Sequence, residues 1–438
     1  MSVETQPRVD RDRSGQVAWT TFAVLGVLLL VAAAVLVPWH PWSGSTVHST
    51  PALDFTAQQL KRDSTFHADL RIWTYPRLLV GLTATLILGL TPLGSRLVGR
   101  AGRLLGGSWP ATVVAGTLAL TVVSVLVALP FSVAAELVLR RYGLSTQDWA
   151  GWTVDLLRGT GISCLVTALA LLVVVGLARR WPRWWWAPCA GLAAVLVVVG
   201  SLLYPVLIEP LSNTFTPLAA GQLRTDLLQL AADDGQPVRD VLVADASRRT
   251  TAENAYVSGF GSTRRLVVYD TLLHRASPAE VEAVVAHELG HVANHDVRHG
   301  TTLGALGAVW AVVGLGLLTG GRWWRRRAGV RGVGDPRSIA FLLAVLAAGT
   351  WLAAPVTNLV SRNIETRADV HALDLTRDPA TVADMQRGLA LANISDLDPR
   401  WYRELFFENH PSSAWRVALA RAWAQDHGLP AIPPVADP

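Results

Sequence analysis

The chain of 438 residues is short of charge, of lysine and of cysteine, and each shortage narrows what it can be. Charged residues make up 16% and apolar ones 51%, well to the apolar side of an ordinary soluble protein. The two cysteines, Cys164 and Cys189, both sit inside apolar runs. A disulfide framework is therefore not expected, and both read as small apolar residues. Lys61 is the sole lysine, so arginine carries the net charge of +5. A basic balance can signal nucleic acid. Here the arginines flank apolar runs, with no basic and aromatic interleaving in a polar domain. They read as membrane-orientation signals, and no nucleic acid is expected as partner. Eighteen tryptophans agree, because Trp gathers at membrane–water interfaces. "RWPRWWW" (180–186) and "GRWWRRR" (321–327) read as interfacial anchors.

What is present in quantity is apolar sequence. Seven runs stand out, at 17–37, 75–94, 111–137, 159–178, 185–207, 302–319 and 338–357. A helix needs about 20 such residues to cross the hydrocarbon of a bilayer. The run at 75–94 is the weakest, because Pro92 and Gly94 interrupt it. The first run is long for a signal peptide, and "VPWHPWSGS" after it is a poor cleavage site, so it reads as a retained anchor. The expected organisation is a membrane region with five transmembrane helices (1–207), a soluble segment (208–301), two further transmembrane helices (302–357), a second soluble segment (358–425) and a Pro-rich, frayed tail (426–438). In the first soluble segment, 224–235 reads as an amphipathic helix ending in glycine. Residues 238–247 and 264–273 read as strands, with an extended piece and a glycine turn at 254–263.

Within "SPAEVEAVVAHELGHVANH" (277–295), Ser277 and Glu280 form a capping box and Pro278 suits the first turn. A helix places residues four apart on one face. His287 and His291 then offer ring nitrogens to one point, and Glu288 projects beside it. This is the H-E-x-x-H zinc pattern, in which the glutamate is general base rather than ligand. A catalytic zinc takes three protein ligands and water. The third ligand is expected from "NLVSRNIETRADVHAL" (358–373), after the seventh run. Glu365 and Asp369 share a helix face there. Glu365 completes a His2Glu set, and Asp369 is placed to hold a ligand histidine by its second nitrogen. His295, Asp296 and His299 read as solvated residues continuing the first helix. His410, in "ENHPSSAWR", suits either an oxyanion donor or a surface loop.

Several further stretches together carry a family resemblance: "LPFSVAAELVLRRYGLSTQDW" (129–149), "YPVLIEPLSNTFTPL" (204–218), "SRRTTAENAYVSGFGSTRRLVVYDTLL" (247–273), "AHELGH" (286–291), "SRNIETRAD" (361–369) and "NHPSSAWR" (409–416). The chain resembles the zinc metallopeptidase family of the type I CAAX prenyl endopeptidase and the membrane heat-shock zinc peptidases, nearest the prenyl endopeptidase branch. The resemblance implies a multi-pass α-helical membrane protein of about seven transmembrane helices with a zincin-like α+β metallopeptidase domain. It implies one Zn2+ per chain held by His287, His291 and Glu365, with Glu288 as base acting on the zinc-bound water. Asn254, Ala255 and Tyr256 would form a substrate-binding edge. His410 would contact the transition state; Arg416 would do the same or serve as a structural ion pair. The implied activity is that of a zinc metalloendopeptidase acting on peptides or proteins, membrane-bound or lipidated ones among them. A quality-control protease without prenyl recognition and an inactive membrane scaffold are the alternatives.

Arginine also bears on orientation in the cell membrane. The N-terminal stub (Arg8, Arg11, Arg13) and three alternate loops carry most of it, the richest being the loop with Arg322, Arg325, Arg326, Arg327, Arg331 and Arg337. The loops on the catalytic side carry less. The positive-inside rule then sets the catalytic segments outside the cell, whereas characterised relatives suggest a cytosolic site.

Overall fold

The computed structural model describes residues 9–207, 209–259 and 261–435. Arg8 of the N-terminal stub and the last three residues of the tail lie outside the described residues.

Seven helices are long and apolar enough to cross a membrane. They belong to α1 (Val9–Leu36), α2 (Ala57–Leu90), α4 (Trp109–Arg141), α5 (Trp149–Arg180), α6 (Trp186–Leu207), α9 (Asp296–Gly320) and α10 (Ile339–Thr376). Their outward faces leave large apolar side chains uncovered, such as Leu126 at 62%, Leu165 at 60% and Leu352 at 81% exposure. A surface of that extent needs a bilayer against it. The chain is a multi-pass helical membrane protein.

Two helices reach further than the apolar runs suggest. The weak run at 75–94 is the second half of α2, which starts at Ala57 behind a capping box of Thr56 and Gln59. It ends at Leu90, because Pro92 opens a separate amphipathic helix, α3 (Pro92–Leu104). At 34 residues, α2 is about 51 Å long, against a hydrocarbon thickness of about 30 Å. Its polar first half therefore stands outside the membrane. α10 likewise crosses and continues unbroken through positions 357 and 358 to Thr376.

The soluble segments form one unit at the end of the bundle where α2 begins. Strands β1 (Phe215–Pro217), β2 (Val241–Ala244), β3 (Ala255–Ser258) and β4 (Arg265–Tyr269) make a sheet of order β1-β2-β4-β3. β2 and β4 run parallel, and the outer pairs are antiparallel. β3 is thus an edge strand. Residues 270–273, expected to continue the strand, turn into a short helix from Asp270. Its carboxylate accepts from the backbone of Ser247 and Thr271. Helices α7 (Gln222–Asp233), α8 (Pro278–Ala293), α11 (Pro379–Asn393) and α12 (Ser413–Asp426) pack around the sheet. Their shared core includes Leu227, Leu266, Val285, Leu289, Leu373, Val417 and Trp423. The tail does not fray as far as Val435. Ile432 is buried in that core, and the Val435 N–H donates to Leu53 O at 2.9 Å. One apolar side chain with a place in the core is enough to tie down a Pro-rich end.

A second core closes the opposite end, around Val98, Val113, Val175, Ile339 and Phe341. Trp185, Trp186 and Trp324 belong to it and are buried rather than interfacial. Trp324 stacks on Phe341 at 4.6 Å and donates its indole N–H to Thr319 O. Trp181, Trp184 and Trp323 are the exposed members of the same motifs.

Candidate active site

The site begins with the capping box of α8. Ser277 Oγ accepts from the Glu280 N–H, and Glu280 accepts from the Ser277 N–H at 2.7 Å. That fixes the helix start, and with it the face shared by His287 and His291. Gly290, between them, lets α10 approach. A Cβ there would lie 3.0 Å from His371 Cβ and 3.1 Å from Ala368 Cα. This close crossing brings Glu365 and Asp369 of α10 to the histidines.

Each histidine is held from behind by a carboxylate, and each carboxylate by an arginine. His287 Nδ1 lies 2.9 Å from Asp369 Oδ1, and Arg416 Nε donates to Asp369 Oδ2 at 2.8 Å. His291 Nδ1 lies 2.9 Å from Asp296 Oδ2, and Arg367 pairs with Asp296. Gln386, fully buried, adds a hydrogen bond to Asp369. The outward nitrogens face Glu365. His287 Nε2 is 3.3 Å from Glu365 Oε2 and His291 Nε2 is 3.6 Å from Oε1. Glu365 Oε2 is buried with no hydrogen-bond partner. Burial opposes charge on His287, yet the facing carboxylates of Asp369 and Glu365 outweigh it and raise its pKa to about 10. Burial also pushes Glu288 above the usual carboxylate range.

Asp296 and Arg367 are what sequence reasoning missed. His295 does not continue α8. It takes a left-handed conformation (φ 58°) that ends the helix and starts α9 at Asp296. Asp296 is consequently buried against His291 rather than solvated. The available signal was its position, five residues past the second histidine. His299 is half-buried, with Nδ1 lacking a partner.

His410 is exposed, yet its Nε2 lies 3.3 Å from Glu365 Oε2. It combines both readings open for it, a loop residue that borders the site. Arg416 is half-buried in a pair with Asp369 and reaches to 3.4 Å from His287 Nδ1. Ala255 and Tyr256 lie on edge strand β3, and exposed Asn254 precedes it, its carbonyl accepting from the Tyr269 N–H. Asn393 clamps the backbone just before them, bonding both the N–H and the carbonyl of Glu253.

The donor set fits a metal ion. His287, Glu288 and His291 offer ligand atoms within 4.8 Å of one another. Four-coordinate zinc with bonds of about 2.0–2.1 Å separates its ligand atoms by about 3.3 Å. The two ring nitrogens stand near that spacing from the Glu365 carboxylate, 3.3 Å from Oε2 and 3.6 Å from Oε1, and Oε2 is buried without a hydrogen-bond partner. A second group, Asp63, His67 and Asp396, also comes together. There Asp396 is already paired with Arg71 and Arg403.

A long helix carrying both histidines, closed by a glutamate from a crossing membrane helix, defines a membrane metallopeptidase. Comparison with known proteins gives the family. Residues 217–424 match Peptidase family M48, and residues 57–214 match the CAAX prenyl protease N-terminal region, five membrane helices. The uncharacterized metalloprotease YhfN of Bacillus subtilis is 30% identical over 304 residues, 69% of this chain and 71% of that protein. CAAX prenyl protease 1 of Saccharomyces cerevisiae is 31% identical over 175 residues, 39% of this chain and 38% of that one. Its homolog in Arabidopsis thaliana is 34% identical over 165 residues, 37% of this chain and 39% of that protein. The crystal structure of S. mikatae Ste24p shares the fold, with a TM-score of 0.76 at 19% identity, over 94% of this chain and 98% of that one. The chain belongs to peptidase family M48, and it is a membrane metalloprotease acting on peptide or protein substrates.

Proposed function

We propose that the protein is a zinc-dependent endopeptidase in which His287, His291 and Glu365 hold one Zn2+ per chain and Glu288 is the general base. The carrying observation is the Glu365 carboxylate facing both ring nitrogens, 3.3 Å from one through Oε2 and 3.6 Å from the other through Oε1. Zinc in that place supplies a Lewis acid that polarises the scissile carbonyl and makes water acidic enough to attack. Glu288, raised by burial, takes a proton from the attacking water and passes it to the leaving amine. Asp369 and Asp296 fix the ring orientation of the two histidines and keep their outward nitrogens free for the metal. Arg416 pairs with Asp369 and Arg367 with Asp296, which fixes where the two carboxylates stand. Arg416 is thus a positioning residue through Asp369. His410, beside Glu365 and open to solvent, donates to the developing oxyanion. The substrate lies extended along β3, adding to the sheet edge, with Asn254 contacting its backbone beside Ala255 and Tyr256.

The test is zinc per chain in detergent-purified protein, with cleavage of a quenched peptide measured in parallel. Wild type holds one zinc, Glu365→Ala loses it, and Glu288→Gln keeps it without cutting. A Glu288→Gln protein that cuts at the wild-type rate would falsify the mechanism. Substrates reach the site from the membrane or as lipidated chains, as the names of the CAAX prenyl protease relatives suggest. Farnesylated and unmodified peptides of one sequence separate the two: equal rates discard lipid recognition. The positive-inside rule assigns the catalytic end to the outer face. Protease accessibility of a C-terminal tag in intact cells decides it.

A further inference from the structure

At the end of the bundle remote from the peptidase unit, the helices surround a cavity of about 1220 Å³. Its walls come from the start of α1, the end of α5, the turn into α6, the end of α9 and the connection from Arg322 to Arg337. Buried Trp185 and Trp186 stand in its wall. Arg322, Arg325 and Arg331 line it with no carboxylate paired to their guanidinium groups among the described residues. Asp335, the one acidic lining residue among those described, is already occupied. Arg337 grips it with two hydrogen bonds of 3.0 and 2.7 Å, and the backbone N–H groups of Arg331 and Arg337 donate to it as well. Three guanidinium groups with no carboxylate partner among the described residues, around one polar space, make a site for an anion, and guanidinium forks suit phosphate oxygens.

The position says which phosphate. Trp19 on the cavity rim is 62% exposed and Trp323 beside it 52% exposed, the placement of side chains at headgroup level. From the same rim rises α1, whose Val27, Leu30 and Val35 are 60, 72 and 75% exposed. That apolar column, on a helix whose start lines the cavity, is a surface for acyl chains. We propose that this cavity binds the phosphate headgroup of an anionic phospholipid, with Arg322, Arg325 and Arg331 as its contacts and the exposed face of α1 as the bed of its chains.

The site holds the arginine-rich end at the bilayer surface. Through α10, which starts at this end and carries Glu365 at the other, it also sets the depth at which the peptidase unit stands. A basic residue near anionic lipid contributes roughly a fivefold preference, so three amount to about a hundredfold.

The experiment is native mass spectrometry of the detergent-purified protein, titrated with phosphatidylglycerol and phosphatidylcholine of identical chains. Wild type is compared with the triple variant Arg322→Gln, Arg325→Gln, Arg331→Gln and with each single substitution. The expected result is about a hundredfold preference of wild type for phosphatidylglycerol, falling to a few-fold in the triple variant and stepwise in the singles. Equal retention of the two lipids by wild type overturns the proposal, as does an unchanged preference in the triple variant. Glycerol phosphate is the third arm. If it displaces phosphatidylglycerol at equal concentration, the cavity is a site for a soluble anion and the lipid assignment fails. Should the triple variant not fold, the single variants and the glycerol phosphate competition still decide.

Discussion

At the catalytic end, Arg416 and Arg367 are packed against Asp369 and Asp296, with side-chain exposures of 12 and 23%. At the opposite end, Arg322, Arg325 and Arg331 line an open cavity, and the one carboxylate among its described lining residues is paired with Arg337. The same residue type therefore acts inward at one end and outward at the other. Inside, a guanidinium offsets the desolvation of a carboxylate that has to stay charged to orient a histidine. Outside, it is left available for an anion that the chain does not itself supply. Both arrangements are electrostatic, but they differ in what removing one arginine exposes.

The largest effect that tests this contrast is on chemistry. Glu288→Gln should lower cleavage by about 10³-fold, while the triple arginine variant at the far end leaves the detergent-phase rate of peptide cleavage within about twofold. A comparable loss in both would mean the ends are not independent. Next in size is Arg416→Gln. It leaves Asp369 a buried charge without its guanidinium, held only by His287 and Gln386, with an expected loss of about 3–5 kcal/mol and metal affinity down about 10–100-fold. Thermal unfolding and zinc titration measure the two. Arg325→Gln, lacking a partner to strand, should shift stability by less than about 0.5 kcal/mol. If the two variants melt alike, the inward and outward roles collapse into one.

A smaller effect follows from the helix crossing. Gly290→Ala would press a methyl against Ala368 Cα and His371 Cβ and cost about 1–3 kcal/mol. Its cleavage rate should fall as Glu365 is pushed away, with no change in lipid retention. The smallest is at Asp335. Burial disfavours its charge, but Arg337 and the backbone donors outweigh that and hold its pKa below the ordinary value. A carboxylate lowered in the folded state stabilises above its unfolded pKa of about 3.9 and loses that contribution as the pH falls through the lower folded value. Wild type should therefore exceed Asp335→Asn in melting temperature at pH 6, and the gap should close in strong acid. A gap independent of pH would show that Asp335 acts by shape alone.

Much of the site is legible in the sequence because its donors come in helical spacing. His287, Glu288 and His291 lie within five residues of one another, and Glu365 and Asp369 are one turn apart. What is not legible is whatever depends on a helix ending. Periodicity carries α8 past His295, and so Asp296 looks like one more solvated residue. A single left-handed residue ends the helix there and buries Asp296 against His291. The tryptophan motifs mislead for a related reason. Composition identifies an interfacial residue type, but only packing shows that Trp324 faces Phe341 while Trp323 is exposed.

The sequence by itself determined that this is a membrane metalloprotease with a histidine-bearing helix, because apolar run length and the four-residue period are local properties of the chain. Only the tertiary structure decided which carboxylate backs which histidine and which arginine holds that carboxylate. Those contacts join residues up to 129 positions apart, as between His287 and Arg416, and such pairings are set by how helices cross rather than by what lies next to what.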